Sequence, residues 1–408
     1  MTLGPPERRS GARRTPISTR FRDAAARIQR SLEPVLKRAQ ANCGSISPRS
    51  ATVITYPTAS EASPHTPFIF GTILSNQTAS KTLIMEGGSS LFAAHWETGT
   101  IGFHLVSPGG QLIDPAYAAA HPTEVTYSAD MNTATYQFTN AEPGTWQAVL
   151  TAGSDLPGVG SLYSIFASVE NGLRLSASTD SDWYLPGNSA VISASLSTPP
   201  QVAIVSAVIS HANGTIQTVS LSPIGAGQYR ANYVIPDIPG YTQVDIIAGG
   251  LTAGNQPFER GTSIVFQISP HSIVLSNKFS ETALPRSPGS HFYSSLDINL
   301  GVTVNVSGTF GISGDLIDSN GVFVAHSMAL ADLAAGAGTM TLRFAGEDII
   351  TSGRNGPYTL TNFLLSDNRN TPLITAKAPN VYVTAVYDYY RFGTGNVYLP
   401  ILSKGRTL

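Results

Sequence analysis

The chain has 408 residues, of which only 12% are charged, about half the ~25% usual for globular proteins. A net charge of −2 excludes a uniformly basic nucleic-acid binder, and 42% hydrophobic with 9% aromatic residues exclude wholesale disorder. The single cysteine, Cys43, excludes an intramolecular disulfide framework and a multi-cysteine zinc site. No apolar stretch approaches the ~18 residues of a transmembrane helix, so no transmembrane segment is predicted.

Residues 1–50 differ from the rest of the chain in charge. Residues 1–45 contain ten lysines and arginines against three acids. We expect a disordered basic arm followed by one short amphipathic helix, because Phe21, Ile28, Leu32 and Leu36 share a helical face. Three origins stay open for that helix: the last element of an upstream domain, an organelle transit peptide, or a membrane-surface helix. An apolar signal-peptide core is not visible, and a nucleic-acid arm is disfavoured because interleaved aromatic residues are lacking.

From residue 51 onward the pattern is that of β-strands. Runs of β-branched and aromatic residues alternate with polar ones, and turn signals interrupt them about every 8–12 residues. Residues 100–106 alternate before a turn at 107–110, and Asn213 with Gly214 is a strong hairpin signal. This pattern predicts an all-β fold of tandem antiparallel β-sandwiches, Ig-like or jelly-roll-like, plus the one N-terminal helix. Residues 328–335, rich in alanine and leucine, are the one place where a helical turn or loop is the alternative.

The β pattern divides into three blocks of sandwich size. The predicted organisation is the arm and helix at 1–50, a β-sandwich at 51–171, an Ig-like β-sandwich at 172–270, a third β-sandwich at 271–395 and a C-terminal tail at 396–408. We expect Trp96 and Trp146 to fill the core of the first block. A sugar-stacking platform is the alternative for Trp146.

Several motifs carry a resemblance to a known class of bacterial modules. They are LFAAHWETG at 91–99, FHLVSPGG at 103–110 and NAEPGTW at 140–146, then GQY at 227–229 and IPGYT at 238–242, then FAGEDI at 344–349, NGPY at 355–358 and VTAVYDY at 383–389. Over about residues 65–402 the chain resembles tandem β-sandwich (Ig-like or pre-peptidase C-terminal-like) tail domains of large bacterial exported proteins. Such domains follow lipase-like α/β-hydrolase or von Willebrand A-type domains. The resemblance implies an extracellular or cell-surface, multidomain protein.

The sequence contains no motif that assigns a catalytic or cofactor-binding residue. The chain lacks the Gly-x-Ser-x-Gly elbow of α/β-hydrolases, the paired Asp-Thr/Ser-Gly of aspartic proteases and the phosphate-binding loop of nucleotide enzymes. His95 and His104 flank a predicted turn and are expected to approach each other across a hairpin, but a third zinc ligand is not evident. We therefore predict no metal, no cofactor and no enzyme activity.

Calcium is the one ligand left open. Asp315, Asp318 and Asn320 place three oxygen-bearing side chains on one turn, and residues 179–182 offer two carboxylates. Neither stretch has the later bidentate glutamate of an EF-hand. An ordinary β-turn is the alternative, because Asp, Asn and Gly also favour turn geometry by themselves.

The predicted function follows from the fold and the missing chemistry. We expect a non-catalytic exported or cell-surface β-sandwich array, acting as a spacer, scaffold, adhesion or binding module. Its partner would be a protein or carbohydrate surface ligand and not a nucleic acid. The alternative is the accessory region of a lipase- or protease-like hydrolase whose catalytic domain is missing from this chain.

Overall fold

The computed structural model describes residues 59–393. The predicted basic arm and amphipathic helix at 1–50 and the tail at 396–408 lie outside the described residues. Within 59–393 the chain folds as consecutive β-sandwiches with antiparallel pairing apart from one short parallel pair, residues 183–184 with 267–268, which confirms the predicted fold class. No helix of this part of the chain is long and apolar enough to cross a membrane.

The first β-sandwich has a five-stranded and a four-stranded sheet. Its elements are β1 (Ile69–Ile73), β2 (Thr78–Met85), β3 (Gly88–Trp96), β4 (Ile101–Val106), β5 (Leu112–Ile113), helix α1 (Pro115–Ala120), β6 (Val125–Asp130), β7 (Thr133–Ala141), β8 (Gly144–Ala152) and β9 (Ser161–Val169). The sheets have the strand orders β1-β9-β3-β7-β6 and β2-β8-β4-β5. Helix α1 is an addition to the predicted elements, and Asp114 caps it by accepting a hydrogen bond from the Tyr117 N–H at 2.7 Å.

The core between these two sheets is built around Trp146. Its side chain is 1% exposed, and its ring centroid lies 4.8 Å from that of Phe92 and 5.1 Å from that of Phe138. The indole N–H donates to the Glu142 carbonyl at 2.9 Å, so the buried polar group is paired. Trp96 is buried as well. Both tryptophans are therefore core residues, as predicted, and Trp146 is not a surface platform.

The second β-sandwich is a single hydrogen-bonded succession of eight strands. Its elements are β10 (Leu175–Thr179), β11 (Trp183–Tyr184), β12 (Ser189–Leu196), β13 (Val202–Ser210), β14 (Ile216–Gly225), β15 (Gln228–Val234), β16 (Gly240–Leu251) and β17 (Pro257–Ile268), in the order β10-β12-β15-β14-β13-β16-β17-β11. Strand β14 pairs with β13 and then with β15, so it passes from one layer to the other. The predicted Asn-Gly turn joins β13 to β14, with Gly214 at φ 85°, a conformation that side chains disfavour.

The third β-sandwich has a three-stranded and a four-stranded sheet. Its elements are β18 (Ile273–Pro285), β19 (Tyr293–Val304), β20 (Gly308–Ile317), β21 (Phe323–Leu333), β22 (Gly336–Ala345), helix α2 (Gly346–Ser352), β23 (Thr359–Asp367), β24 (Leu373–Val383) and the 3₁₀ helix Tyr389–Phe392. The sheet orders are β18-β19-β22 and β21-β20-β23-β24. The helical alternative for 328–335 is wrong over its strand portion: Met328 pairs with Ser313 and Leu330 with Gly311, because strand pairing overrides alanine's helix propensity.

Buried apolar side chains fall into three clusters, one for each sandwich. They span residues 73–169, 173–268 and 273–392. Each cluster consists mainly of the inward-facing side chains of one sandwich and fills the space between its sheet layers, as expected for sandwich cores. The predicted block boundaries 51–171, 172–270 and 271–395 stay a prediction.

Candidate functional site

The first junction, between the first and second sandwiches, is closed by a buried ion pair. Arg260 on β17 is fully buried, and its Nη2 donates to the carboxylate of Glu86, which follows β2. The same guanidinium donates from Nε to the Leu173 carbonyl at 2.6 Å and from Nη1 to the Glu259 carbonyl at 2.7 Å. The other Glu86 oxygen accepts the Leu173 N–H at 2.8 Å. The two contacts of Glu86, with Arg260 and with the Leu173 N–H, cross the junction, and the bonds of Arg260 to the Leu173 and Glu259 carbonyls hold the guanidinium in place within the second sandwich.

The segment before β1 crosses this junction. Its bridges pair Ser63 with Leu175 in the second sandwich and His65 with Ser168 in the first. The Gly261 N–H donates to the His65 carbonyl at 3.1 Å. Burial lowers the pKa of the His65 imidazole and the charge of Arg260 lowers it further, although the Thr66 carbonyl beside Nδ1 acts in the opposite direction. Burial and the charge of Arg260 therefore favour the neutral form of the His65 ring.

Two cavities flank Glu86 at the same junction. The larger, about 560 Å³, is lined from the first sandwich by Tyr117, Glu124 and Glu142, and from the second by Gln256. The smaller, about 410 Å³, lies along residues 86–89 and 171–173. Both volumes fall within the range of small-ligand sites. However, Glu124 already accepts the Tyr117 hydroxyl at 3.2 Å, and Glu142 accepts the Gly109 N–H at 3.2 Å.

The buried contact at the second junction, between the second and third sandwiches, is made by neutral groups. The Gln267 side-chain amide on β17 donates to the Ile374 carbonyl at 2.7 Å and accepts the Ile374 N–H at 2.8 Å. Gln267 is buried, so its amide extends the backbone pairing of β24 into the second sandwich. At the rim, Lys377 pairs with Asp182 at 2.5 Å.

The linker into the third sandwich is held by Asp367. Its carboxylate accepts the Ser272 hydroxyl at 2.5 Å and three guanidinium hydrogen bonds from Arg369, two from Nε and one from Nη2. Burial raises the pKa of this carboxyl, but the hydrogen bonds from Arg369 and Ser272 outweigh burial and hold the pKa below its ordinary value. The anion is the stable form in the fold.

The candidate calcium turn does not bring its carboxylates together. One Asp318 oxygen accepts the N–H groups of Asn320 and Val322, both at 2.9 Å, and the other accepts Arg354 at 3.1 Å. These bonds, the one from the Val322 N–H above all, outweigh the effect of burial and hold the pKa of Asp318 below its ordinary value. Asp318 thus stabilises its own turn, the alternative stated above, and Asp315 faces a different set of partners. Across residues 59–393 no group of three acidic, histidine or cysteine side chains is placed to hold a metal.

The carboxylates near 179–182 are likewise engaged separately. Asp180 accepts the Tyr184 hydroxyl at 2.6 Å and the Val191 N–H at 2.7 Å. Asp182 belongs to the second junction through Lys377. They do not converge on one ligand position.

The expectation for His95 and His104 is wrong. His95 lies on β3, which pairs with β7 and β9, whereas His104 lies on β4, which pairs with β5 and β8. The two strands are consecutive in the chain but belong to opposite sheets, so the intervening turn is a crossing between layers and not a hairpin. His95 instead contacts the Thr133 hydroxyl at 3.0 Å.

The sequence analysis did not predict the pair formed by Asp315 and His326. Asp315 and His326 are directly opposite in the β20–β21 register, and the His326 Nδ1 lies 2.7 Å from an Asp315 oxygen. The other Asp315 oxygen accepts the Asn362 amide at 2.8 Å. Such a pair orients an imidazole as a general base, yet within the described chain no hydroxyl or thiol hydrogen-bonds to that ring. The hairpin signal around Asn320 and Gly321 could have located the pair.

The outward side of the five-stranded sheet carries a second set of unexpected residues. In the strand register one row runs from Phe70 through Ser164 and His95 to Thr133, and a neighbouring row contains Phe166. The rings of Phe68 and Phe70 are stacked with their centroids 6.2 Å apart, and the centroids of the Phe68 and Phe166 rings are 4.8 Å apart. We call this surface the aromatic face; its residues are Phe68, Phe70, His95, Thr133, Ser164 and Phe166.

Comparison with known proteins identifies a shared fold and no family. No protein-family model matches the chain, and no curated protein sequence matches it. A DUF4785 family protein of Legionella pneumophila aligns at a TM-score of 0.54 and 13% identity, covering 81% of this chain and 89% of that one. At this identity the similarity establishes the fold alone.

Two further similarities are weaker. The tetra-tandem repeat in the extending region of a large adhesion protein aligns at a TM-score of 0.23 and 14% identity, covering 80% of this chain and 75% of that one. The Bacillus licheniformis lipase BlEst2 in its propeptide form aligns at a TM-score of 0.25 and 14% identity, covering 58% of this chain and 45% of that one. Such scores carry no argument about function.

Proposed function

We propose that this chain is a non-catalytic, exported or cell-surface β-sandwich scaffold that presents binding surfaces in a fixed arrangement. The observation that carries the proposal is the closure of both junctions by buried side-chain contacts. Arg260 and Glu86 lock the first junction, and Gln267 locks the second to the backbone of Ile374. A chain that needed only a flexible connection between its sandwiches would use exposed, small-residue linkers instead.

The charged residues with catalytic potential also support a structural role. The carboxylates of Asp180, Asp318 and Asp367 each accept hydrogen bonds that stabilise a turn or a linker. Catalysis requires a nucleophile or base held beside an orienting partner and open to substrate. Asp315 with His326 is the pair that comes nearest to this requirement.

The test is a turnover assay on the purified full-length protein. We expect no hydrolysis of generic ester, peptide or glycoside substrates above the buffer rate. Turnover that is lost in His326→Ala but retained in His104→Ala would overturn the proposal and assign a hydrolase. His104 is the matched control because it lies on the outward side of a sheet without a carboxylate partner among the described residues.

A companion measurement tests for a structural metal. We expect the melting temperature to change by no more than about 1–2 °C in EDTA, because a fold that binds no metal loses no binding energy to a chelator. A larger fall that calcium reverses would contradict this expectation and identify a metal site.

A further inference from the structure

We propose that the aromatic face binds a neutral polysaccharide, an inference that rests on the proposed function and specifies its ligand. The first observation is an exposed ring on a sheet surface. Phe70 is 58% exposed, and the neighbouring Leu162 is 46% exposed. An aromatic ring offers a flat apolar surface to the C–H face of a pyranose, as it does to other partners in binding sites.

The ring is held in place before any ligand arrives. Phe68 packs against Phe70 on one side and against Phe166 on the other, and His65 packs against Phe68 with ring centroids 4.7 Å apart. Phe166 is 7% exposed, so it anchors the cluster in the sheet. A pre-ordered platform loses little conformational entropy on binding, which favours affinity for a rigid ligand.

Hydrogen-bonding groups lie next to the rings. His95 and Thr133 lie in the row of Phe70, with His95 Nδ1 3.0 Å from the Thr133 hydroxyl, whereas Ser164, which stands between Phe70 and His95, is buried. Hydroxyl and imidazole groups both donate and accept, as the hydroxyls of a sugar do. An apolar ring beside a row of such groups matches the two chemical faces of a pyranose.

The charge of this face selects among ligand classes. The row of Phe70 continues across the sheet through Ser164, His95, Thr133 and Asp130. The row of Phe166 continues through Ala93, Thr135 and Ser128. Asp130, on the far edge strand β6, is the one carboxylate among them, and none is lysine or arginine. Among the described residues these two rows carry no cation, and without one they do not attract a nucleic acid or an anionic glycan. A neutral polysaccharide is the complementary ligand.

The opposite face of the same sandwich supplies a control. Its outward residues include Thr82, Gln147 and Ser80, which hydrogen-bond to one another at 3.0–3.1 Å. Gln147 is paired in register with Thr82 and Val106, and that row contains no phenylalanine, tyrosine or tryptophan. This face therefore shares the polar groups but lacks the rings.

The experiment is affinity electrophoresis of the full-length protein in gels that contain hydroxyethyl cellulose or galactomannan. We expect retardation by at least one of these two polymers. Phe70→Ala and Phe70→Leu should each lose at least fivefold in affinity, whereas Phe70→Trp and Gln147→Ala should retain it. Phe70→Leu keeps an apolar side chain, so its loss of binding would report on the ring, and the exposure of Phe70 should leave all variants folded.

Three results would overturn this inference: no retardation by either polymer, equal retardation of wild type and Phe70→Ala, or dimerisation that Phe70→Ala abolishes. Light scattering detects the last, which would assign the aromatic face to a second copy of the chain. Reducing ends released from the bound polymer are measured in parallel. Their release would overturn the non-catalytic function while leaving binding at the aromatic face intact, so the two failures are distinguishable.

Discussion

The two junctions join neighbouring sandwiches by opposite chemistry. The first junction removes a full ion pair from water, with Arg260 fully buried and the Glu86 side chain 10% exposed. The second junction places the neutral amide of Gln267 against a backbone N–H and C=O of β24. A buried charge is costly whenever its partner is lost, whereas an amide that loses its partner leaves only a dipole unpaired. We therefore expect substitutions at the first junction to destabilise the protein more than substitutions at the second.

The residues around the Arg260–Glu86 pair are also more closely packed than those around the Gln267 amide. At the first junction Gly172 lies so close that a Cβ there would fall 2.2 Å from a Glu86 oxygen and 2.8 Å from Arg260 Nη2. At the second, Lys377 and Asp182 add an ion pair that remains partly exposed. The first junction thus depends on close packing around one buried pair, and the second combines a short neutral contact with a solvated rim.

The largest expected effect is that of Arg260→Met. It leaves Glu86 buried without its cation, and breaking such a pair costs about 3–5 kcal/mol in the free energy of unfolding. Urea denaturation of the full-length protein, followed by tryptophan fluorescence, measures the loss. Trp96 and Trp146 report on the first sandwich because both are buried in its core.

The double variant Glu86→Met/Arg260→Met is the control for this experiment. Replacing both charges with apolar side chains of similar length removes the unpaired ion, so we expect recovery of most of the stability lost in the single variant. A single variant that loses less than about 1 kcal/mol would show that the pair is solvated and that the two junctions are energetically alike.

The next effect is that of Gln267→Ala at the second junction. It leaves the N–H and C=O of Ile374 without their partner, and an unpaired buried polar group costs about 1–3 kcal/mol. The matched control is Lys377→Ala, which removes the exposed pair with Asp182 and should cost less than about 1 kcal/mol. If both variants lost the same free energy of unfolding, the buried amide would contribute no more to the second junction than the exposed ion pair does.

Sequence reasoning predicted the sandwiches but not these junctions, and the reason is separation along the chain. Alternation of apolar and polar residues shows which side of a strand is buried, which placed Trp96 and Trp146 in a core. Arg260 and Glu86 are 174 positions apart, and Gln267 and Ile374 are 107 apart. No local pattern indicates which distant residue will meet a buried arginine or glutamine.

The same limit explains the missed surface sites. Alternation does not say to which sheet a strand belongs, so consecutive strands β3 and β4 were paired although they lie in opposite layers. The aromatic face depends on the pairing of β1 with β9, two strands at opposite ends of the first sandwich's sequence, which places Phe70 beside Ser164, while Phe68 packs against Phe166. By contrast, the turn role of Asp318 is local, and its alternative could be stated from sequence.

The smallest expected effect is that of pH, and it separates the two junctions without a drastic substitution. Burial and Arg260 lower the pKa of His65 in the first junction, while an unfolded histidine titrates near 6.5. The contribution of His65 is therefore complete above about pH 6.5 and is lost as the pH falls toward the folded pKa, because the unfolded chain then binds the proton more readily. Asp367 in the linker to the third sandwich also has a lowered pKa, but an unfolded aspartate titrates near 3.9, so its contribution is lost only below about pH 4.

Between pH 7.5 and 5.5 the first junction should weaken while the Asp367 linker stays unchanged. His211 in the second core also has a pKa lowered by burial, so the wild type alone does not isolate His65. The comparison is with His65→Gln, which removes the imidazole and keeps a polar side chain. We expect the urea midpoint of the wild type to fall more over this pH range than that of His65→Gln, as followed by tryptophan fluorescence. Equal falls in the two proteins would mean that His65 titrates alike in the folded and unfolded chains, and the pH contrast between the junctions would then be wrong.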